Sequence, residues 1–251
     1  MMRRRHLLLA ALLLAAAAAT ATLVVYVYHA PRDLAAVLRL YGGPARARLA
    51  PTFARAHVSY PPRRVALLAF KAERRLALWA GDGKSWHFIR TYPILAASGH
   101  AGPKLREGDY QVPEGLYLIE QLNPASSYHL SMKVSYPNAF DRHQAAIDLR
   151  TRLGGDIFIH GKNLSIGCIA VGDVAIEELF TLVADAGREH VRVIIAPNDL
   201  RVASAPVRED TPLWVVTLYR SIAAALADFP AWLESDRSID VLGMSKVQAK
   251  R

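Results

Sequence analysis

Ile159-His160-Gly161-Lys162-Asn163-Leu164-Ser165-Ile166-Gly167-Cys168 is the stretch on which the reading of this chain turns. A short apolar strand pattern, Asp156 to His160, ends in His-Gly, a polar loop follows, and the only cysteine of the chain closes it ahead of a helical pattern. A thiol becomes a strong nucleophile as thiolate, and a neighbouring imidazole or a helix N-terminus lowers its pKa toward that form. The sequence offers both. Gly161 and Gly167 let the backbone turn sharply beside each reacting side chain, and amides around Gly167 and Cys168 are candidates to face a developing oxyanion. Ser165 is a candidate to hold the loop or touch substrate. Gly161 has no side chain, so the group that orients the imidazole must be a backbone carbonyl or a distant residue. A lone cysteine is otherwise a small buried hydrophobe, and spacing alone leaves that reading open.

Working outward, the period becomes helical after Cys168. Ile176, Leu179, Phe180 and Val183 follow Asp173 as N-cap, and Gly187 is placed to end the helix. Val191 to Ala196 is a continuous apolar run closed by Pro197, as an interior strand requires. Upstream, Val65 to Lys71, Arg74 to Ala80, Ser85 to Tyr92 and Gly115 to Leu122 predict strands, with Gly81-Asp82-Gly83 as the turn between the second and third. A second helix is predicted over about Leu213 to Leu226, followed by a polar tail from Ser235 to Arg251.

The N-terminus reads differently. Three arginines, Arg3 to Arg5, precede an uninterrupted stretch from Leu7 to Tyr28 without charge, proline or glycine. At 1.5 Å per residue it reaches about 33 Å, enough to span a hydrocarbon core of about 30 Å. Its length favours an uncleaved anchor, while the alanines from Ala15 to Ala21 keep a cleavable signal open. Arginines flank the segment on both sides (Arg32, Arg39, Arg46 and Arg48 after it), so charge alone does not orient it. The organisation expected is a basic region over 1–6, an anchor or signal segment over 7–28, a juxtamembrane linker over 29–62 with one short helical candidate, Asp33 to Tyr41, a catalytic domain over 63–200 and a C-terminal extension over 201–251 with a helix and a mobile tail.

The chain has 251 residues, 52% of them hydrophobic, which suits one well-buried domain with an appendage. Its 31 Lys and Arg against 22 Asp and Glu give a formal charge of +9 and favour anionic surroundings. Nucleic acid is not expected, because the basic residues are scattered among aliphatic runs and form no binding module. One cysteine excludes an internal disulfide framework and a cysteine-cluster metal site, and His87, His100, His143 and His190 lack metal-ligand spacing. No metal and no cofactor are expected. Glu114 and Asp109 lie among Gly108, Pro113 and Gly115, a turn setting rather than an acid-base pair.

The histidine-cysteine stretch resembles the active-site motif of the L,D-transpeptidase (YkuD) family: His-Gly, a variable loop, then Ser-x-Gly-Cys. Pro103-Lys104, Gly108-Asp109 and Pro113-Glu114-Gly115-x-Tyr117 resemble its upstream signature, with Val112 where threonine is usual. The loop is shorter than in most members, and Ala170 stands where many carry a substrate-binding arginine. Both departures are shared by a YafK-like branch, which this chain also resembles in Ser127-Tyr128-His129-Leu130 and Tyr136-Pro137-Asn138-Ala139-Phe140-Asp141-Arg142. The resemblance covers roughly Arg64 to Asn198.

It implies a mainly β domain, a β-sandwich or barrel with a few helices, which the apolar stretch read above would precede as a transmembrane helix. It implies a peptidoglycan-remodelling enzyme on stem peptides, and with the signal-like order of the N-terminus the expectation is an inner-membrane anchor with the catalytic domain in the periplasm. Cys168 would attack the diaminopimelate carbonyl and form a thioester, His160 would serve as base and later acid, and Ser165 and Gly167 would shape the oxyanion site. Tyr128 and His129 are candidates for substrate contact, and a surface or core role for His129 stands equally. Release by an amine makes a transpeptidase. Release by water makes an amidase, whose partner would be a wall-linked protein. A non-catalytic wall-binding role ranks behind both.

Overall fold

The computed structural model describes residues 33–83, 85–206 and 211–230. The basic region over 1–6, the segment over 7–28 and the tail from Ser235 lie outside the described residues. No helix among the described residues is long and apolar enough to cross a membrane.

The chain forms strands β1 (Arg64–Phe70), β2 (Arg75–Gly81), β3 (Trp86–Pro93), β4 (Ala96–Ala97), β5 (Gly115–Asn123), β6 (Ser131–Val134), β7 (Phe158–His160), β8 (Ile169–Ala170) and β9 (Val191–Ala196). They make one nine-stranded sheet in the order β3-β2-β1-β9-β5-β6-β7-β8-β4. Pairing is antiparallel except between β1 and β9 and between β7 and β8. The central strands β1 and β2 are buried on both faces beyond their first residue, which is why they read as unbroken apolar runs. β5 alternates instead: Tyr117 and Ile119 turn inward, and Leu116 and Leu118 outward.

Helix α1 (Gly43–Arg55) continues from helical turns at Leu34–Val37 and Leu38–Gly42. After it come α2 (Ala139–Ile147), α3 (Asp173–Ala186) and α4 (Val215–Leu226). The inward side chains Leu67, Leu78, Val193, Ile119, Met132, Ile159 and Ile169 share one core with Ile176, Leu179, Phe180 and Val183 of α3, so the sheet curls around that helix. On its other face Leu68, Phe70, Trp79 and Ile194 are covered by Val215, Leu218, Ile222 and Leu226 of α4, and by Phe229. The mainly β architecture agrees with expectation. The sandwich is refined to a single curled half-barrel with a helix on each face.

Residues 34–55 correct the linker reading. Val37, Leu49 and Phe53 enter the core around α3. Arg46 makes a bidentate pair with Asp185, and Arg48 reaches both Glu177 and Glu178. Arg46 and Arg48, which the sequence offers only as basic residues after the apolar segment, are therefore placed opposite acidic residues of α3. Residues 34–55 thus belong to the same compact unit as the sheet.

Candidate active site

β7 and β8 position the site. Ile159 pairs with Ile169, and His160 with Ala170. The two isoleucines point into the core, so the pleat leaves Phe158, His160 and Cys168 on the opposite face. In this way a parallel pairing brings the ends of the loop together.

The His160 imidazole is 2% exposed. Its Nδ1 lies 2.6 Å from the Gly161 carbonyl, so that nitrogen donates and carries the proton, and Nε2 is left as the basic nitrogen. The orienting group is thus a backbone carbonyl, one of the two options the sequence left. The Tyr128 ring packs against the imidazole at a tilt of 42°, with centroids 4.6 Å apart. Burial pushes the imidazole pKa below its ordinary value, opposed by the Gly161 carbonyl. Neutral imidazole is the form a base requires.

Gly161 has no room for a side chain. A Cβ there would lie 2.6 Å from Asp173 Oδ1 and 2.7 Å from the Tyr128 carbonyl. That carboxylate also accepts from the Lys162 amide at 2.8 Å. Asp173 was expected to cap its own helix. The N-cap is instead Gly172, and Asp173, the first helical residue, holds the turn after His160.

Cys168 is half-buried. Its Sγ lies 3.7 Å from the Asp156 carbonyl. Burial raises the thiol pKa, opposed by the Phe158 amide, while nearby Asp156 raises it further and Lys104 lowers it. Here the sequence expectation fails in one respect: β8 and Gly172 stand between Cys168 and α3, so the helix N-terminus does not activate the sulfur. The sulfur and the imidazole each bond backbone rather than each other. Burial thus acts in the same sense on both groups, favouring the neutral imidazole and the protonated thiol.

The loop's remaining bonds are internal. Ser165 Oγ donates to the Cys168 carbonyl at 2.6 Å, and the Gly167 amide donates to Ser98 Oγ at 2.6 Å. Ser98 Oγ and the Ser98 amide both lie 3.3 Å from Ser165 Oγ. Gly167 has φ of +115°, a conformation that glycine adopts without strain. Thus Ser165 and Gly167 shape the turn, and the Gly167 amide is already engaged. Ser98, which the sequence reading missed, is the anchor, and its position directly after β4 gave no local signal.

His129 has partners within the protein. Its Nε2 lies 3.0 Å from Glu177 Oε1 and its ring meets Tyr41 edge-on, so it ties the helical N-terminal segment to α3. Asp109 has the expected turn role: it accepts from the amides of Leu105, Arg106 and Gln111 and pairs with Lys104 at 2.5 Å. Glu114 does more than turn, pairing with Lys71 at 2.9 Å in the interior. Among the described residues no group of three or more His, Cys, Asp or Glu side chains is placed to hold a metal ion.

Comparison with known proteins follows the same lines. Over 133 residues the chain is 38% identical to proteins named "Putative L,D-transpeptidase YafK" from Escherichia coli K12 and O157:H7, over 51% of this chain and 52% of theirs. The match therefore spans about half the length of these curated relatives. Among solved structures it is similar to the helical cell shape determining protein Pgp2 from Campylobacter jejuni, at 24% identity over 61% of this chain and 52% of that one, with a TM-score of 0.45. It is also similar to L,D-transpeptidase 1 from Mycobacterium tuberculosis, at 15% identity over 53% of this chain and 62% of that one, with a TM-score of 0.32. A family model for the L,D-transpeptidase catalytic domain, YkuD, matches residues 64–197, from the first strand to the end of the last, and the chain belongs to that family.

Proposed function

We propose that this protein remodels peptidoglycan by acyl transfer, with Cys168 as nucleophile and His160 as general base. One observation carries the reading: His160 is held by the Gly161 carbonyl in the tautomer that leaves Nε2 basic, on the same face of paired strands as the only thiol. Attack of Sγ on the carbonyl of the third stem residue, diaminopimelate, passes the thiol proton to Nε2. The new C–S bond forms as the C–N bond breaks, and the departing amine takes that proton. Because the Gly167 amide is engaged by Ser98, the oxyanion donor assigned here is the amide of Cys168 itself.

An acceptor amine then resolves the thioester in a transpeptidase, and water does so in an amidase acting on a wall-linked protein. Residues 7–28 supply the anchor that keeps the domain at the outer face of the inner membrane, in the periplasm. The experiment is mass spectrometry of defined stem peptides incubated with the full chain, with and without an added amine. Crosslinked or exchanged product supports transpeptidation, and free acid alone assigns hydrolysis. His160→Ala should slow acylation at least about a hundredfold. A Cys168→Ala protein with full turnover overturns the reading.

A further inference from the structure

The open part of the site has a floor that the catalytic pair does not use. Lys133 of β6 pairs with Phe158 of β7, and Cys168 follows in line, one residue before the β7–β8 ladder begins. Met132, Ile159 and Ile169 occupy the core side of the same three strands, so Lys133, Phe158 and Cys168 form a row on the outer face. The next row, Ser131, His160 and Ala170, is closed: all three are buried, and Tyr128 lies over the imidazole. The first row is accessible, with Phe158 half-buried between a charge and a thiol. Its two ends are two strand spacings apart, about 10 Å at the backbone.

At the far end Lys133 Nζ lies 3.2 Å from Asp156 Oδ1, whose side chain is 82% exposed, and 3.9 Å from Glu120 Oε2. Asp156 is also the residue whose carbonyl touches Sγ. Its φ of +53° is left-handed, a conformation aspartate tolerates better than most residues. An exposed ion pair of this kind contributes little to stability. Its two charges nonetheless present an ammonium and a carboxylate side by side, at a fixed reach from the nucleophile.

We infer that Lys133 and Asp156 form a subsite for an α-amino acid head group, a carboxylate and an ammonium on one carbon, joined by a short aliphatic spacer to the carbonyl that Cys168 attacks. Lys133 takes the carboxylate, Asp156 takes the ammonium, and Phe158 lies under the spacer. The inference rests on the proposed stem-peptide chemistry, since the distal end of diaminopimelate has this head group. Lysine at the same stem position keeps the ammonium and lacks the carboxylate.

The test is calorimetric binding of two tetrapeptides, with diaminopimelate or lysine at position three, to the full chain carrying Cys168→Ala, so that no turnover intervenes. The diaminopimelate peptide should bind about tenfold more tightly or better, the size of one charge-assisted hydrogen bond. Adding Lys133→Met should remove that preference and leave the lysine peptide unchanged. Adding Asp156→Asn should weaken both. Circular dichroism melting of the Lys133→Met protein should match its parent, which separates recognition from folding. Equal affinities in the parent, equal weakening of both peptides by Lys133→Met, or binding of neither overturns the subsite. Turnover of the diaminopimelate peptide by the unsubstituted chain without discrimination overturns the subsite and leaves the proposed reaction standing. Discrimination in binding without turnover supports the subsite and overturns the reaction.

Discussion

The amide of Gly167 donates to the hydroxyl of Ser98 at 2.6 Å, which fastens the turn carrying the nucleophile to the residue that follows β4. Ser98 also lies 3.3 Å from Ser165 Oγ, whose own bond goes to the Cys168 carbonyl. One hydroxyl therefore supports both sides of the turn.

Ser98→Ala removes that acceptor without creating a clash. Because Ser98 is only half-buried, global stability should fall by no more than about 1 kcal/mol. The acylation rate should fall about tenfold or more, because the sulfur loses its fixed approach. Melting temperature and single-turnover thioester formation, measured together, check this. A rate unchanged within a factor of about two would mean that the turn holds itself.

Much of this arrangement was readable in the residues, for physical reasons. β1, β2 and β9 are buried on both faces or nearly so, and α3 has its apolar residues at helical spacing, so composition and period announced them. β4, β6 and β8 are two to four residues long, too short to carry a period, and exist through their ladder partners. α2 did have a local signal that went unread: Asn138 and Asp141 form a capping box at its start. Arg48 and Glu178 lie 130 positions apart, and no local pattern reveals such a pair. The same holds for Ser98 and Gly167.

The pH dependence follows from two shifts of opposite sign. Burial lowers the His160 pKa, so acylation should rise with pH through an inflection below the ordinary value of about 6.5. For folding, a group with depressed folded pKa contributes stability above its unfolded value, and that contribution is lost as pH falls through the folded value. Burial raises the Cys168 pKa, so its contribution is present below the unfolded value of about 8.5 and lost as pH rises through the folded one. Melting curves of the unsubstituted chain and of His160→Gln between these limits should diverge on the acid side only. An acid limb that persists in His160→Gln assigns it to other groups.

Gly161→Ala places a methyl group 2.6 Å from Asp173 Oδ1 and 2.7 Å from the Tyr128 carbonyl, with His129 Cβ at 3.1 Å. The second of these is backbone and cannot swing away. The turn after His160 must move, at a cost of about 1–3 kcal/mol, and activity should fall at least about a hundredfold as the imidazole loses its carbonyl partner. Gly155→Ala is the control, since a Cβ there meets nothing within 4 Å. Both variants are read by melting temperature and by reaction of Cys168 with a maleimide. Equal behaviour of the two would remove the steric argument.

The packed N-terminal segment is tested through Glu178, which is 1% exposed and bonded by Arg48 at 2.7 Å, Arg90 at 2.9 Å and the Tyr92 hydroxyl at 2.9 Å. Arg48→Ala leaves the carboxylate in the interior with two partners of its three, and Glu177 keeps only His129. A loss of about 1–3 kcal/mol is expected, less than for a buried charge stripped of every partner. Arg46, whose side chain is 42% exposed against Asp185, should cost less than about 1 kcal/mol on the same substitution. The Arg48→Met, Glu178→Gln double variant should lose less than the sum of the single changes, because it removes both charges together. Urea unfolding of the unsubstituted chain, Arg48→Ala, Arg46→Ala, Arg48→Met, Glu178→Gln and the double variant measures these differences. Were residues 34–55 a detached linker, Arg46→Ala and Arg48→Ala would each leave the midpoint where it was.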